Sequence, residues 1–257
     1  MLSNNKYKIY SSLKQLKYRY IHQLFSVEGL KSVEELLFSK FETIELILTE
    51  DWLESNADIV ALYHGRAEIV TEKEMITLSN LTTPPGVIAI AKIPDYQNNP
   101  IDFKNKITLV LDGISDPGNM GTIIRTADWF GLENIICSED TVDVFNHKVV
   151  QASMGSIFRI KVHYQPLTDV FANVSAAGIQ VYGAFIDGAD IYKSESDFKE
   201  GILVIGSESL GIRPYLKAFI TQKLSIPNFS RGNDRTESLN ASIAAAIMLA
   251  EIRRKQS

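Results

Sequence analysis

The stretch ITLVLDGISDPGNMGTIIRTADWFGLENIIC, residues 107–137, decides the fold. Ile107–Leu111 is a near-continuous apolar run with the length of a buried strand. Asp116-Pro117-Gly118-Asn119 follows as a turn. Met120, Ile123, Ile124, Ala127 and Phe130 then fall on one helical face, with Asn119 expected to cap the helix and Gly131 to end it. Asn134–Cys137 is apolar again. Strand, helix and strand in this order make one unit of a parallel sheet. The pattern continues to the end of the chain, with strands expected at Phe158–Val162, Gln180–Phe185, Ile202–Ile205 and Lys223–Ile226. Helices are expected near Asn146–Ser156, Leu167–Ala177 and Glu237–Arg254. The spacing predicts a mostly parallel α/β sheet covered on both faces, whose ligands sit beyond the carboxyl ends of the strands.

Upstream the elements are shorter. A basic helix is expected over Lys6–Tyr20 and a second over Phe25–Leu37. Strand-like runs follow at Ile44–Leu48, Ala67–Val70 and Gly86–Ala91, with a helical stretch at Glu72–Leu81. This reads as a small α/β layer structure. KIPDYQNNPIDFKNK, residues 92–106, breaks the pattern with two prolines and a polar run. The boundary is placed there, giving domains 1–98 and 99–257, as the length of 257 residues permits.

The net charge of −5 argues against an indiscriminate polyanion binder, yet it averages unlike regions. Residues 1–27 carry +5 from Lys6, Lys8, Lys14, Lys17 and Arg19; residues 28–98 carry −8 and residues 99–257 carry −2. The segment Arg213–Arg235 is locally +4. A charge run is ordinarily a solvated face, so these basic patches leave the partner open. The lone Cys137 excludes an intramolecular disulfide and a cysteine-cluster metal site, which fits a reducing cytoplasm. The histidines show no metal-ligand spacing, and no metal is expected. No apolar run has the length of a membrane span or an export signal, so neither is expected.

Three strand-end loops carry chemistry-bearing residues. In the first, residues 111–131, Gly118 and Gly121 open a helix that bears Arg125 on its polar side. Arg125 is either a solvated surface residue or part of an anion site at the helix amino terminus. The glycines do not complete a dinucleotide fingerprint. In the second, GILVIGSESLGIRP at 201–214, Gly206 and Gly211 admit close approach to the backbone, and Glu208 is either a turn cap or an oriented polar group. In the third, residues 224–254, Ile226-Pro227 ends a strand, a polar loop follows, and Thr236 or Ser238 stands where a helix cap is expected. The last helix has one apolar stripe at Leu239, Ile243, Ala246, Ile247 and Ala250, and a second at Ala245, Met248, Leu249 and Ile252. It is buried either on both sides within the domain or against its own sheet and a second subunit.

In this order the loops resemble the three signature motifs of the SpoU (TrmH-like) branch of the SPOUT RNA methyltransferases. The matching residues are Asn119, Gly121 and Arg125; Gly206, Glu208 and Gly211; and Ile226, Pro227, Ser238, Leu239, Asn240 and Ser242. The first 98 residues also resemble the ribosomal-protein-like substrate-binding domain of many ribosomal-RNA members, through YRY, FSVEGLKSVEELL and TTPPGVIAIA. The resemblance implies transfer of methyl from S-adenosyl-L-methionine (SAM) to a ribose 2′-hydroxyl of RNA, ribosomal RNA being favoured over transfer RNA. It further implies a deep trefoil knot and a homodimer. Asn119, Arg125, Glu208, Ser238 and Asn240 would form the reacting cluster. Gly183, Ala184, Gly206, Ser207, Glu208, Gly211, Ile226, Pro227, Leu239 and Asn240 would hold the cofactor. Lys6, Lys8, Lys14, Lys17, Arg19, Arg231 and Arg235 would contact RNA.

The family proposal makes Arg125 the base; a guanidinium gives up its proton only at high cost, which makes orientation of a phosphate, or stabilisation of the developing alkoxide, at least an equal alternative. Pro227 is followed by Asn228 where the family has Met, and the loop to Ser238 is longer, which either extends an RNA contact or displaces Ser238. A rival reading is a non-catalytic RNA-binding or ribosome-assembly protein on the same fold, in which Asn119 and Arg125 would have no task.

Overall fold

The computed structural model describes residues 2–63, 65, 67–96, 101–230 and 238–257. Along the chain the elements are α1 (Asn4–Ser12), α2 (Leu16–His22), β1 (Leu24–Glu28), α3 (Leu30–Leu37), β2 (Thr43–Leu48), α4 (Glu50–Ser55), α5 (Ala57–Ala61), β3 (Glu68–Ile69), α6 (Glu72–Leu78) and β4 (Val87–Lys92). They continue with β5 (Ile107–Asp112), α7 (Pro117–Trp129), β6 (Asn134–Cys137), α8 (His147–Ser153), β7 (Lys161–Tyr164), α9 (Leu167–Ala176), β8 (Val181–Asp190), β9 (Gly201–Gly206), α10 (Pro214–Lys217), β10 (Gln222–Ser225) and α11 (Ala241–Gln256). The chain forms two compact units, one of Met1–Asp95 with Asp143–Arg159 and one of Tyr96–Val142 with Ile160–Ser257.

The first unit is a four-stranded sheet in the order β1-β4-β2-β3, antiparallel except for β2 with β3. Two expectations are corrected here. Phe25–Leu37 is not one helix: Leu24–Glu28 pairs with β4 as a strand, Gly29 turns the chain at φ +89°, and α3 begins at Leu30. Lys6–Tyr20 is two helices: α1 ends at Ser12, Leu13 keeps helical backbone angles with its side chain in the core beside Ile47, Met75 and Ile88, and the chain turns extended at Gln15 (φ −100°, ψ 134°) before α2.

Residues 143–159 complete this unit from far along the chain. Phe145 packs on Phe25 (4.6 Å between centroids) and Phe158 meets Phe41 edge-on at 5.3 Å. Arg159 donates to Glu35 at 2.6 Å. The Arg19 guanidinium, almost wholly buried, donates to Asp143 at 2.8 Å and to the Leu13 and Lys14 carbonyls, and the Tyr20 hydroxyl donates to the other Asp143 oxygen at 3.0 Å.

The second unit is the parallel sheet that the sequence predicts, with strand order β10-β8-β9-β5-β6-β7 and every pair parallel. β5 is buried along its whole length, and β9 along all but its last residue. Val170, Phe171 and Val174 of α9 pack with Val110, Ile136, Ile202 and Val204 of the sheet. Each such side chain stabilises the fold by roughly 1.5–3 kcal/mol. The expected strand at Phe158–Val162 lies later, at Lys161–Tyr164, after a short 3-10 turn at Ser156–Phe158. From β5 the chain winds outward through β6 to β7, then returns to the opposite side with β8. The order therefore reverses between the neighbours β5 and β9, whose following loops lie side by side at the carboxyl end of the sheet. Open α/β sheets place their ligands at such a reversal. Among the described residues no helix is long and apolar enough to cross a membrane.

Candidate active site

The loop after β5 starts the site. Asp116, not Asn119, caps α7: its carboxylate accepts from the Asn119 N–H at 2.7 Å, and Pro117 occupies the first turn, where a missing N–H costs nothing. This frees the Asn119 side chain. Its Nδ2 donates to Glu208 Oε1 and its Oδ1 accepts from Asn240 Nδ2 at 2.9 Å. A carboxylate only accepts, so the amide orientations are mutually fixed along the chain Glu208–Asn119–Asn240. One residue from each of the three loops takes part.

Asn240 has a second task. Its Oδ1 accepts from the Ser242 N–H (3.0 Å), the Ser242 hydroxyl (2.6 Å) and the Ile243 N–H (3.3 Å), which makes it the cap of α11. The helix therefore begins at Ala241 rather than Glu237, and Ser238 is exposed, with no hydrogen bond among the described residues. Arg125 is likewise outside the cluster. It lies two turns into α7, exposed and unpaired among the described residues, on a face with exposed Thr122 and Trp129. An exposed guanidinium with no carboxylate partner among the described residues is available to an anion.

The loop after β9 is tightly built. Ser207 N–H donates to the Asp112 carbonyl (3.0 Å), Gly211 N–H to the Ser207 carbonyl (2.8 Å), and Leu210 N–H to the Ser207 hydroxyl (3.3 Å). A Cβ on Gly206 would lie 2.1 Å from the Gly211 carbonyl carbon and 2.3 Å from the Ile212 nitrogen, so only glycine fits. Gly211 has φ +61°, favouring glycine, and the space beside its Cα is open. β8 pairs with β9 as far as Gly183, and the expected end of that strand at Phe185 is extended to Asp190 by pairing with β10. Gly183 and Ala184 thus stand where β8 leaves β9. Ile226 and Pro227 are half-buried just after β10, and Leu239 is exposed beside Asn240.

Sequence reasoning passed over Asp112, Arg213 and Asp140. The Asp112 carboxylate, 1 % exposed, accepts from the Arg213 N–H at 2.8 Å and from its guanidinium, which also donates to Asp140 at 3.2–3.3 Å. Burial pulls the Arg213 pKa down, but its bond to Asp112 and the two carboxylates outweigh that and raise it above the ordinary value. An acid closing an otherwise apolar strand was the available signal.

The basic amino-terminal residues divide. Arg19 is withdrawn from any RNA contact by its burial against Asp143. Lys6 is paired with Glu45, and Lys14 donates to the Ser79 carbonyl at 2.6 Å. Lys8 and Lys17 remain exposed, Lys17 lying 5.9 Å over the Tyr18 ring. Arg231 and Arg235 lie outside the described residues. Among those described, no group of three or more His, Cys, Asp or Glu is placed to hold a metal.

An open parallel α/β sheet, with a polar cluster assembled from three loops at its carboxyl end, defines a ligand-binding or catalytic α/β domain. Comparison makes this specific. Residues 106–250 match the model of the SpoU rRNA Methylase family, and residues 4–89 match the MRM3-like substrate binding domain. The chain belongs to the SpoU family of RNA methyltransferases. It is 29 % identical over 255 residues to the 23S rRNA (guanosine(2553)-2′-O)-methyltransferase RlmP of Bacillus subtilis, covering 97 % of this chain and 96 % of that one. A TrmH-family protein from Porphyromonas gingivalis superposes with a TM-score of 0.84 at 39 % identity, over 99 % of each chain. The AdoMet-bound rRNA methyltransferase from Sinorhizobium meliloti does so with 0.84 at 32 % identity, over 99 % of this chain and 96 % of that one.

Proposed function

We propose that this protein transfers the methyl group of SAM to a ribose 2′-hydroxyl of RNA, with 23S ribosomal RNA as its substrate. The observation that carries the reading is the Glu208–Asn119–Asn240 chain, which joins the three loops by side-chain bonds. Ribosomal RNA is favoured over transfer RNA because the similarity to RlmP runs through the amino-terminal domain as well as the catalytic one.

The residues fit the cofactor. Gly211 leaves open backbone in loop 206–211, and Ile226, Pro227 and Leu239 offer apolar surface for an adenosine. SAM supplies an electrophilic methyl on a sulfonium. A ribose hydroxyl is a weak nucleophile at neutral pH, so the protein's work is to place it in line and to relieve it of its proton. Asn119 occupies Oε1 of Glu208 and leaves Oε2 to accept that proton. Arg125 binds the adjoining phosphate or the developing alkoxide, since a guanidinium is a charge partner with a planar donor fork rather than a base. Lys8 and Lys17, on domain 1–98, supply phosphate contacts, and domain 99–257 carries the catalysis.

We read the molecule as a cytoplasmic homodimer with a trefoil knot around the cofactor loops. Trp129 on α7, Leu239 just before α11 and Ile243 within it, 85 %, 46 % and 48 % exposed, support the dimer: the second apolar stripe of α11 is buried in the chain itself, and Leu239 and Ile243 of the first face outward. Calorimetric titration with SAM tests the enzymatic reading. Saturable binding is expected; its absence favours a non-catalytic RNA-binding protein.

A further inference from the structure

The loop that carries Glu208 is closed at its base by one residue. Asp112, the last residue of β5, holds the entrance through its carbonyl, which accepts from the Ser207 N–H at 3.0 Å. It holds the exit through its carboxylate, which accepts from the Arg213 N–H at 2.8 Å and again from the Arg213 guanidinium. The guanidinium reaches on to Asp140, after β6, at 3.2 Å. Three strand ends, β5, β6 and β9, are thereby tied by one arginine. Between the two ends the chain is folded back so closely that Gly206 touches Gly211 and Ile212.

A surface ion pair would contribute little, but Asp112 is 1 % exposed, and a buried carboxylate is retained only with its partners in place. Nothing in the methyl-transfer chemistry needs this pair at the reacting atoms. Its geometry addresses a different requirement, which is to keep a glycine-bearing loop in the shape its ligand needs before the ligand arrives. Such preorganisation lowers the entropy cost of binding.

We propose that Asp112 and Arg213 are positioning residues that clamp the base of loop 207–213 and thereby set the affinity for SAM, without touching the methyl donor or acceptor. The inference rests on the reading of that loop as part of the SAM site. Arg213 stabilises the loop through its planar fork, which serves Asp112 and Asp140 together. Lysine keeps the charge but reaches one of them as a point donor.

The test uses the full chain and SAM itself, titrated by calorimetry and as the varied substrate in steady-state methylation, with thermal unfolding alongside. Arg213→Gln is expected to weaken SAM binding and raise its KM by about tenfold or more, the size of losing hydrogen bonds to a charged group. At saturating SAM, kcat stays within about twofold of wild type, since Glu208 on the same loop is still held by Asn119 when the base of the loop is loosened. Arg213→Lys is expected to fall between, and Arg213→Gln combined with Asp112→Asn to be no weaker than the worse single variant, as for residues of one unit. If Arg213→Gln fails to fold, Arg213→Lys decides. Unchanged SAM affinity and KM in the folded variants, or a loss of kcat with KM unmoved, overturns the clamp. A wild-type chain that binds no SAM refutes the cofactor reading instead.

Discussion

Arg125→Ala lowers kcat for methyl transfer by about 10²–10³-fold, the loss typical of removing one preorganised group that faces developing charge. Stability and SAM affinity should hardly move. Arg125 is exposed, makes no bond among the described residues and leaves the α7 core of Met120, Ile123, Ile124 and Ala127 untouched. Alanine is also the better helix former, so the fold loses nothing locally. Arg125→Lys separates the possible roles: charge alone restores part of the rate, whereas dependence on the planar fork leaves it near the alanine value. Single-turnover methylation with saturating SAM measures both. A wild-type rate in Arg125→Ala refutes a catalytic role for Arg125.

Asp143→Ala should destabilise the first unit by about 3–5 kcal/mol, because it strips a buried guanidinium of its partner. Arg19 and Asp143 are only 5 % and 8 % exposed in their side chains, and the same carboxylate accepts from Tyr20. The effect should centre on segment 143–159, whose Phe145 and Phe158 pack on Phe25 and Phe41. Urea unfolding gives the energy, and hydrogen exchange at Val149 and Val150 gives the location. A loss under about 1 kcal/mol would mean that the Leu13 and Lys14 carbonyls suffice to hold Arg19. The same packing means that a fragment lacking residues 1–98 exposes the apolar face of 143–159, and its behaviour reports more than the loss of one domain.

The second unit was legible in the sequence because a parallel sheet buries both faces of its strands. Uninterrupted runs such as Ile107–Leu111 and Ile202–Ile205 have few other homes. In the first unit, five residues of Leu24–Glu28 fit either period, and pairing with β4 decided in favour of a strand. Nothing in the sequence between Ser12 and Leu16 breaks a helix, yet the backbone turns extended at Gln15. Both cap assignments failed for one reason. Asp116 and Asn240 each had competitors within a few residues, and nearness in sequence does not say which side chain reaches the first helical N–H groups. Asn119 is kept from capping by Glu208 and Asn240, 89 and 121 positions away.

The candidate site was legible through the resemblance of its three loops, not through periodicity. What remained hidden was pairwise. That Arg19 is spent on Asp143, 124 residues on, and that Asp112 holds Arg213, 101 residues on, are facts of folding which no local pattern records. Of the five basic residues in the first 27, only Lys8 and Lys17 make no hydrogen bond or ion pair among the described residues, so the amino-terminal charge overstates the available RNA contact. Affinity for RNA should accordingly fall with salt more gently than the count of basic residues implies.

The central claim is met most directly by mass-spectrometric mapping of ribose methylation in ribosomal and transfer RNA from cells with and without the gene. The account predicts one 2′-O-methyl group in 23S ribosomal RNA that disappears with the gene and returns with the wild-type protein but not with Arg125→Ala. Unchanged ribose methylation in every RNA, or a lost group that Arg125→Ala restores in full, contradicts it.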